Sequence, residues 1–180
     1  MAEDLLKKEE LDETEELLEE DDSQKGMFMT FQIGKEFFGI SISYVNEIIA
    51  MQPIAAIPEV DDYIKGLINL RGKIIPVIDV RARFKMEPCE YTDRTCIIVI
   101  DVKSTMIGLI VEKLADVDTI AEDSIAPPPS LGRKEHEHNK YVYGLAKTGD
   151  TVTLLLDPEK LIRQDDIVAV VEESRKEEQS

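Results

Sequence analysis

The 180-residue sequence predicts a mainly β protein built from two similar subdomains, small barrels or sandwiches of about five strands each. Three observations carry that prediction. Short apolar runs alternate with period two between tight turns, and few stretches have helical spacing. Two segments of the first half recur in the second in the same order. Finally, the block from Gly66 to Arg81 (GLINLRGKIIPVIDVR) sets a single Arg71-Gly72 turn between two strongly apolar runs. Such a hairpin is apolar on both faces, so one face must cover its own core and the other a second subdomain or a partner. Arg71, at the turn, stays charged and accessible.

Along the chain, residues 1–25 have helix-forming composition, but Leu5, Leu6, Leu11, Leu17 and Leu18 make too thin a stripe for an independent helix, and a solvated tail is expected. From Met27 to Ile33 the period becomes two, Gly34-Lys35-Glu36 supplies a turn, and Phe38, Ile40 and Ile42 alternate again, giving a β-hairpin. A helical turn is expected over 43–47, then an irregular stretch through Pro53 and Pro58. A short helix follows, starting near Asp61 or Asp62 and ended by Gly66. After the Arg71-Gly72 hairpin the chain exits at 81–84.

The repeat then begins. Phe37-Phe38-Gly39-Ile40 has a counterpart in Met106-Ile107-Gly108-Leu109. Ile42, Val45 and Ile48 correspond to Val111, Leu114 and Val117. Gly66-Leu67, which leads to Asp79, corresponds to Gly144-Leu145, which leads to Asp157. An irregular Pro-rich loop over 127–138 interrupts the second unit, and Asp157-Pro158 opens a short closing helix as N-cap and N1. The expected division is a tail over 1–25, subdomains over 26–82 and 83–157, a closing helix and strand over 158–170, and a tail over 171–180. Barrels of this size hold few interior positions, so the two should share an apolar interface.

The formal charge of −17 is uneven: residues 1–25 hold twelve acids against three lysines, and the last ten residues hold four acids against two bases. Such tails repel phosphate backbones and anionic lipid, which disfavours nucleic acid and membrane surfaces as partners and leaves proteins. No apolar run approaches the roughly 20 residues of a spanning helix, and the N-terminus lacks a basic flank and apolar stretch, so a cytoplasmic protein is expected. Cys89 and Cys96 are expected to be reduced, with Cys96 a small buried hydrophobe at the head of Ile97-Ile98-Val99-Ile100.

Catalytic chemistry has little to stand on. His136 and His138 could face one side of an extended segment and support a small metal-dependent enzyme, yet no Cys or carboxylate has matching ligand spacing. Both lie in a Glu- and Lys-rich loop, which gives no buried base for a Ser-His-Asp or Cys-His arrangement. No phosphate-cradling glycine pattern is present. Most carboxylates belong to solvated runs or helix starts; Glu47 differs, being flanked by Val45, Ile48 and Ile49.

The block I-K-G-L-I-N-L-R-G-K-I-I-P-V-I-D-V-R resembles the most recognisable segment of the CheW family of bacterial chemotaxis adaptors. Phe37-Phe38-Gly39-Ile40, Val45-Asn46-Glu47-Ile48, Ile107-Gly108-Leu109, Tyr143-Gly144-Leu145 and Leu154-Leu155-Leu156-Asp157 follow in family order, so the resemblance covers roughly residues 27 to 165. It implies two five-stranded SH3-like β-barrels, no catalysis and no cofactor. The implied job is to couple the histidine kinase CheA to the cytoplasmic tips of transmembrane chemoreceptors. Val45, Glu47, Arg71 and Gly108 match receptor-contacting positions of the family. Ile40, Ile42 and Gly66 stand for the face that meets the kinase's regulatory domain. The long acidic N-terminus and the 127–138 loop depart from the family pattern.

Overall fold

The computed structural model describes residues 26–128 and 140–162. The tails expected over 1–25 and 171–180, the strand expected after residue 162, and His136 and His138 lie outside the described residues.

Among the described residues the chain forms β1 (Met27–Ile33), β2 (Glu36–Ser41), β3 (Val45–Ala50), β4 (Ile64–Leu70), β5 (Lys73–Asp79), helix α1 (Val80–Arg83), β6 (Cys96–Val102), β7 (Thr105–Val111), β8 (Lys113–Thr119), β9 (Val142–Thr148), β10 (Thr151–Leu156) and helix α2 (Pro158–Leu161). The strands make two five-stranded sheets, ordered β8-β1-β2-β10-β9 (sheet I) and β3-β6-β7-β5-β4 (sheet II).

These orders are the same once β1–β5 are matched to β6–β10, so the internal repeat is carried into the topology. The repeats nevertheless exchange strands. Each gives its first hairpin to one sheet and its last three strands to the other, and the expected division at residues 82 and 83 therefore cuts across both sheets. The physical reason lies in the parallel pairings: Gly39 of β2 sits opposite Leu155 of β10, and its repeat partner Gly108 of β7 sits opposite Val77 of β5. Each hairpin finds its parallel neighbour in the other repeat.

Alternation along the strands sends side chains into three cores. In β6, Ile97 and Val99 join Ile68, Ile75, Val77 and Ile110 inside sheet II, whereas Ile98 and Ile100 face the other way. There they meet Phe31, Ile33, Phe38 and Ile40 of sheet I, with Ile107, Leu109 and Leu156, in a central core shared by both sheets. Sheet I keeps a smaller interior of its own around Phe28, Ile120, Ala146 and Leu155. Full burial of each aliphatic or aromatic side chain contributes about 1.5–3 kcal/mol, so the central core dominates the driving force. Aromatic packing reinforces it, with ring centroids 5.0 Å apart for Phe38 and Phe84 and 5.7 Å for Phe84 and Tyr141. Arg83 of α1 lays its guanidinium over Tyr63 at 4.3 Å and Tyr141 at 4.9 Å, residues at matching places in the two repeats, and donates from Nε to the Leu161 carbonyl at 2.7 Å.

Two local expectations are corrected. The helical turn expected over 43–47 is a 3-10 turn at Ile42–Tyr44 followed directly by strand β3, because β-branched Val45, Ile48 and Ile49 pair with the apolar run of β6. The helix expected from Asp61 or Asp62 is a turn closed by Ile64 N–H donating to the Asp61 carbonyl at 2.9 Å, and β4 follows. Gly66 is therefore not a helix terminator. It lies within β4 at φ 144, beside a register shift, and a Cβ there would come 2.0 Å from the Ala55 carbonyl oxygen. Ala55 and Leu67 bond reciprocally at 2.8 and 2.9 Å, so glycine lets the chain leaving β3 cross tightly over the free edge of β4. Ala126 and Leu145 repeat that bridge beside β9.

Gly66→Ala should therefore cost about 3 kcal/mol or more, whereas Gly72→Ala, at a turn with open space around it, should cost about 1 kcal/mol. Urea unfolding of the two variants checks this; equal losses would mean that the Ala55 crossing is not a constraint.

Candidate docking surface

The Arg71-Gly72 turn is the two-residue link between β4 and β5, with both residues at positive φ (52 and 84) and the Gly72 N–H donating to Asn69 Oδ1 at 2.9 Å. Hairpin geometry of this kind favours Asn-Gly, so Arg at its first position is held in a backbone region that non-glycine residues seldom adopt. Lys103 and Ser104 adopt the same region in the matching turn between β6 and β7, so positive φ at Arg71 belongs to the hairpin geometry. The Arg71 side chain is 72% exposed and donates from Nη2 to Glu47 Oε1 of β3.

β3 and β4 are opposite edges of sheet II, so this ion pair spans the two edges as the sheet curls round. Glu47 stands opposite Val99, on the face that lines the interior of sheet II, and its side chain is 23% exposed. The pair is a surface one and contributes about 0–1 kcal/mol to stability. Its effect is to hold one cation and one anion at the mouth of the sheet. Two large apolar residues of the same strands are exposed, Ile48 of β3 at 38% and Ile74 of β5 at 41%; Ile48 pairs with Ile98 and so lies on the opposite face of β3 from Glu47. Among the described strands β3 pairs only with β6, which leaves its outer edge unpaired.

The four candidates for the receptor face and the three for the kinase face differ in how far they reach the surface. Glu47 and Arg71 meet, and Val45 is half-buried at the start of β3, opposite Ile100. Gly108 does not join them: it is buried in β7, where a Cβ would come 2.8 Å from Ile97 Cγ2, so the glycine makes room for the interior of sheet II. Ile40 is fully buried in the central core and Gly66 is buried under the Ala55 crossing. Of the kinase-face candidates only Ile42, half-buried in the 3-10 turn, reaches solvent. The sequence points to Ile48 as part of an apolar patch beside Glu47, and Ile48 is exposed; Ile74 is a surface residue that the sequence did not single out. Their repeat counterparts Val117 and Val152 are exposed too.

A second polar cluster lies where the segment between α1 and β6 crosses the sheet junction. Glu112 accepts from the Gly34 N–H at 2.7 Å, from Cys89 Sγ at 3.3 Å and from Arg81, while Tyr91 donates its hydroxyl to Asp79 Oδ2 at 2.8 Å. Burial alone would raise the Glu112 carboxyl. The bonds from Gly34, Cys89 and Arg81, with the charge of Arg81, outweigh it and hold the group below its usual value. Burial and then the bond to Asp79 push the Tyr91 phenol up. Cys89 is exposed and Cys96 buried, both as free thiols. Among the described residues no group of three or more His, Cys, Asp and Glu is placed to hold a metal ion.

Comparison with known proteins agrees with this architecture. The CheW-like domain model matches residues 27–166. The chain is 32% identical over 143 residues to a chemotaxis protein CheW of Klebsiella aerogenes, covering 79% of this chain and 85% of that one. With a CheW of Bacillus subtilis it shares 36% over 107 residues, 59% of this chain and 69% of the relative. The crystal structure of a scaffolding protein CheW from Thermoanaerobacter tengcongensis superposes with a TM-score of 0.70 at 33% identity, covering 78% of this chain and 94% of that one.

A carboxyl held low in the folded state contributes stability above its unfolded pKa and loses it as the pH falls through the lower folded value. Between about pH 5 and pH 3 the urea midpoint of the native chain should therefore fall more steeply than that of Glu112→Gln. Parallel curves would show that the cluster carries no net ionic contribution.

Proposed function

The chain belongs to the CheW-like family, and from that premise we propose that it is a chemotaxis scaffold that couples the histidine kinase CheA to the cytoplasmic tips of transmembrane chemoreceptors, without catalysis of its own. The observation that carries this reading is the Glu47–Arg71 pair. It joins an edge strand of sheet II to a hairpin tip, with the Arg71 side chain 72% exposed, and it contributes little to stability. A helical receptor tip lying there would gain affinity from apolar burial and orientation from the two opposite charges.

The kinase's regulatory domain would take a different face, near Ile42. Holding both partners on one rigid body lets a small receptor displacement alter the kinase, which is a coupling free energy carried by geometry. No described helix is long and apolar enough to cross a membrane, in keeping with a cytoplasmic protein recruited to receptor arrays. A metal-dependent enzyme using His136 and His138 has no support from the relatives.

Arg71→Asp should leave the melting temperature within a few degrees of the parent, because the exposed pair contributes little, and should weaken capture of a receptor-tip fragment at least about tenfold. A folded variant with undiminished capture would remove Arg71 from the contact.

A further inference from the structure

Among the described residues the main chain passes between the two sheets twice: through the 3-10 turn Ile42–Tyr44, from β2 to β3, and through Glu112 alone, from β7 to β8. The two crossings occupy matching places in the repeat. A one-residue connection has two soft dihedrals and no slack, so whatever holds its side chain bears directly on the angle between the strands it joins.

Glu112 is bonded to both sheets. Towards sheet I its carboxylate accepts from the Gly34 N–H at 2.7 Å, in the turn between β1 and β2. Towards sheet II it accepts from Arg81 of α1, the helix that continues β5, and from Cys89 Sγ at 3.3 Å in the segment that follows. Arg81 is fixed in turn: its Nε donates to the Glu87 carbonyl, and its own carbonyl accepts from the Met86 N–H at 3.1 Å. Gly34 fits against the same group, since a Cβ there would lie 3.2 Å from Met86 Cε and 3.6 Å from Arg81 Nη1. Tyr91, bonded to the Asp79 cap of α1 at 2.8 Å, holds the segment at a second point.

At the other crossing Ser43 stands at the place of Glu112, Lys103 at that of Gly34 and Glu159 at that of Arg81. Ser43 Oγ meets Ser41 Oγ at 2.9 Å within the same turn, and Lys103 Nζ lies 3.9 Å from Glu159 Oε2. The repeat thus sets two crossings, and only one has a carboxylate at its centre.

The apolar layer between the sheets supplies adhesion but little direction, because burial is roughly proportional to area whatever the angle. The bonds at Glu112 are directional and charge-assisted. We propose that Glu112 is a positioning residue: from the single residue that joins β7 to β8 it ties the β1–β2 turn of sheet I to the α1 exit of sheet II, and so fixes the angle between the sheets. The consequence rests on the adaptor reading. The Glu47–Arg71 pair lies on sheet II and Ile42 lies where β2 leaves sheet I, so that angle sets how receptor and kinase face each other. Loss of the tie should spare each binding surface and weaken transmission between them.

The test uses the full chain with Cys89→Ser, which keeps a donor for Glu112, and nitroxides carried by Ile74→Cys of β5 and Val152→Cys of β10, exposed positions on different sheets. Pulsed electron resonance reads the distribution of distances between them. One narrow peak is expected, and Glu112→Ala should widen it at least about twofold, with a smaller widening for Glu112→Gln, which leaves an acceptor for the Gly34 N–H. Glu122→Ala, which removes an exposed acid elsewhere, should leave the width unchanged. Unchanged widths in cooperatively melting Glu112 variants overturn the proposal, as does equal widening by Glu122→Ala; if the alanine variant does not fold, Glu112→Gln decides. In the unlabelled chain Glu112→Gln should keep its affinities for a receptor-tip fragment and the kinase's regulatory domain within about twofold, while receptor-dependent change in kinase activity falls at least about threefold. Binding and transmission lost together would overturn the positioning role. A parent chain that binds neither fragment counts against the adaptor reading alone, and the widths still decide the tie.

Discussion

The central apolar layer between the two sheets is the constraint on which the rest of the molecule depends. Neither five-stranded sheet encloses enough side chains to stand alone; the interior of sheet I is little more than Phe28, Ile120, Ala146 and Leu155. What stabilises both is the shared layer of Phe31, Phe38, Ile98, Ile100, Leu109 and their neighbours, filled from both repeats. Because every strand with residues in that layer also lines an interior or an edge, a displacement of one sheet relative to the other would disturb close packing throughout. Arg83, held between Tyr63 and Tyr141, adds a polar fastening at the same junction. A body of this kind transmits orientation, which is the property an adaptor needs.

Surface features follow from the same arrangement. With the apolar faces committed inward, the places left for partners are edges and hairpin tips. The Glu47–Arg71 pair occupies both at once, joining an edge strand to a tip. The pair contributes little to stability, so what it adds at that place is one cation and one anion presented together.

Much of this was legible in the residues. Period-two alternation located the hairpins at Gly34-Lys35 and Arg71-Gly72, Asp157-Pro158 marked the closing helix, and the recurrence of Phe38-Gly39 in Ile107-Gly108 announced a repeat that the sheet orders reproduce. The allotment of strands to sheets was not legible. Alternation fixes which residues turn inward but carries no term for which distant strand lies alongside, and Gly39 pairing with Leu155 is a long-range choice. The same blindness affected the site. The resemblance implies Gly66 and Gly108 as contact positions, and alternation gave no sign that their missing side chains also allow close approach of Ala55 and Ile97 within the fold. Ile40 read as one of an alternating set, and alternation cannot say that both faces of β2 are covered.

Strand exchange also orders events during synthesis. Sheet II contains its last partner once Val111 has left the ribosome, but sheet I waits for Leu156, because β2 must pair with β10. The β1–β2 hairpin is made first, yet the outer edges of both its strands wait for strands of the second repeat, β8 beside β1 and β10 beside β2. Until β10 is made, the edge of β2 that it will occupy has no partner strand, so closing sheet I needs nearly the whole described chain.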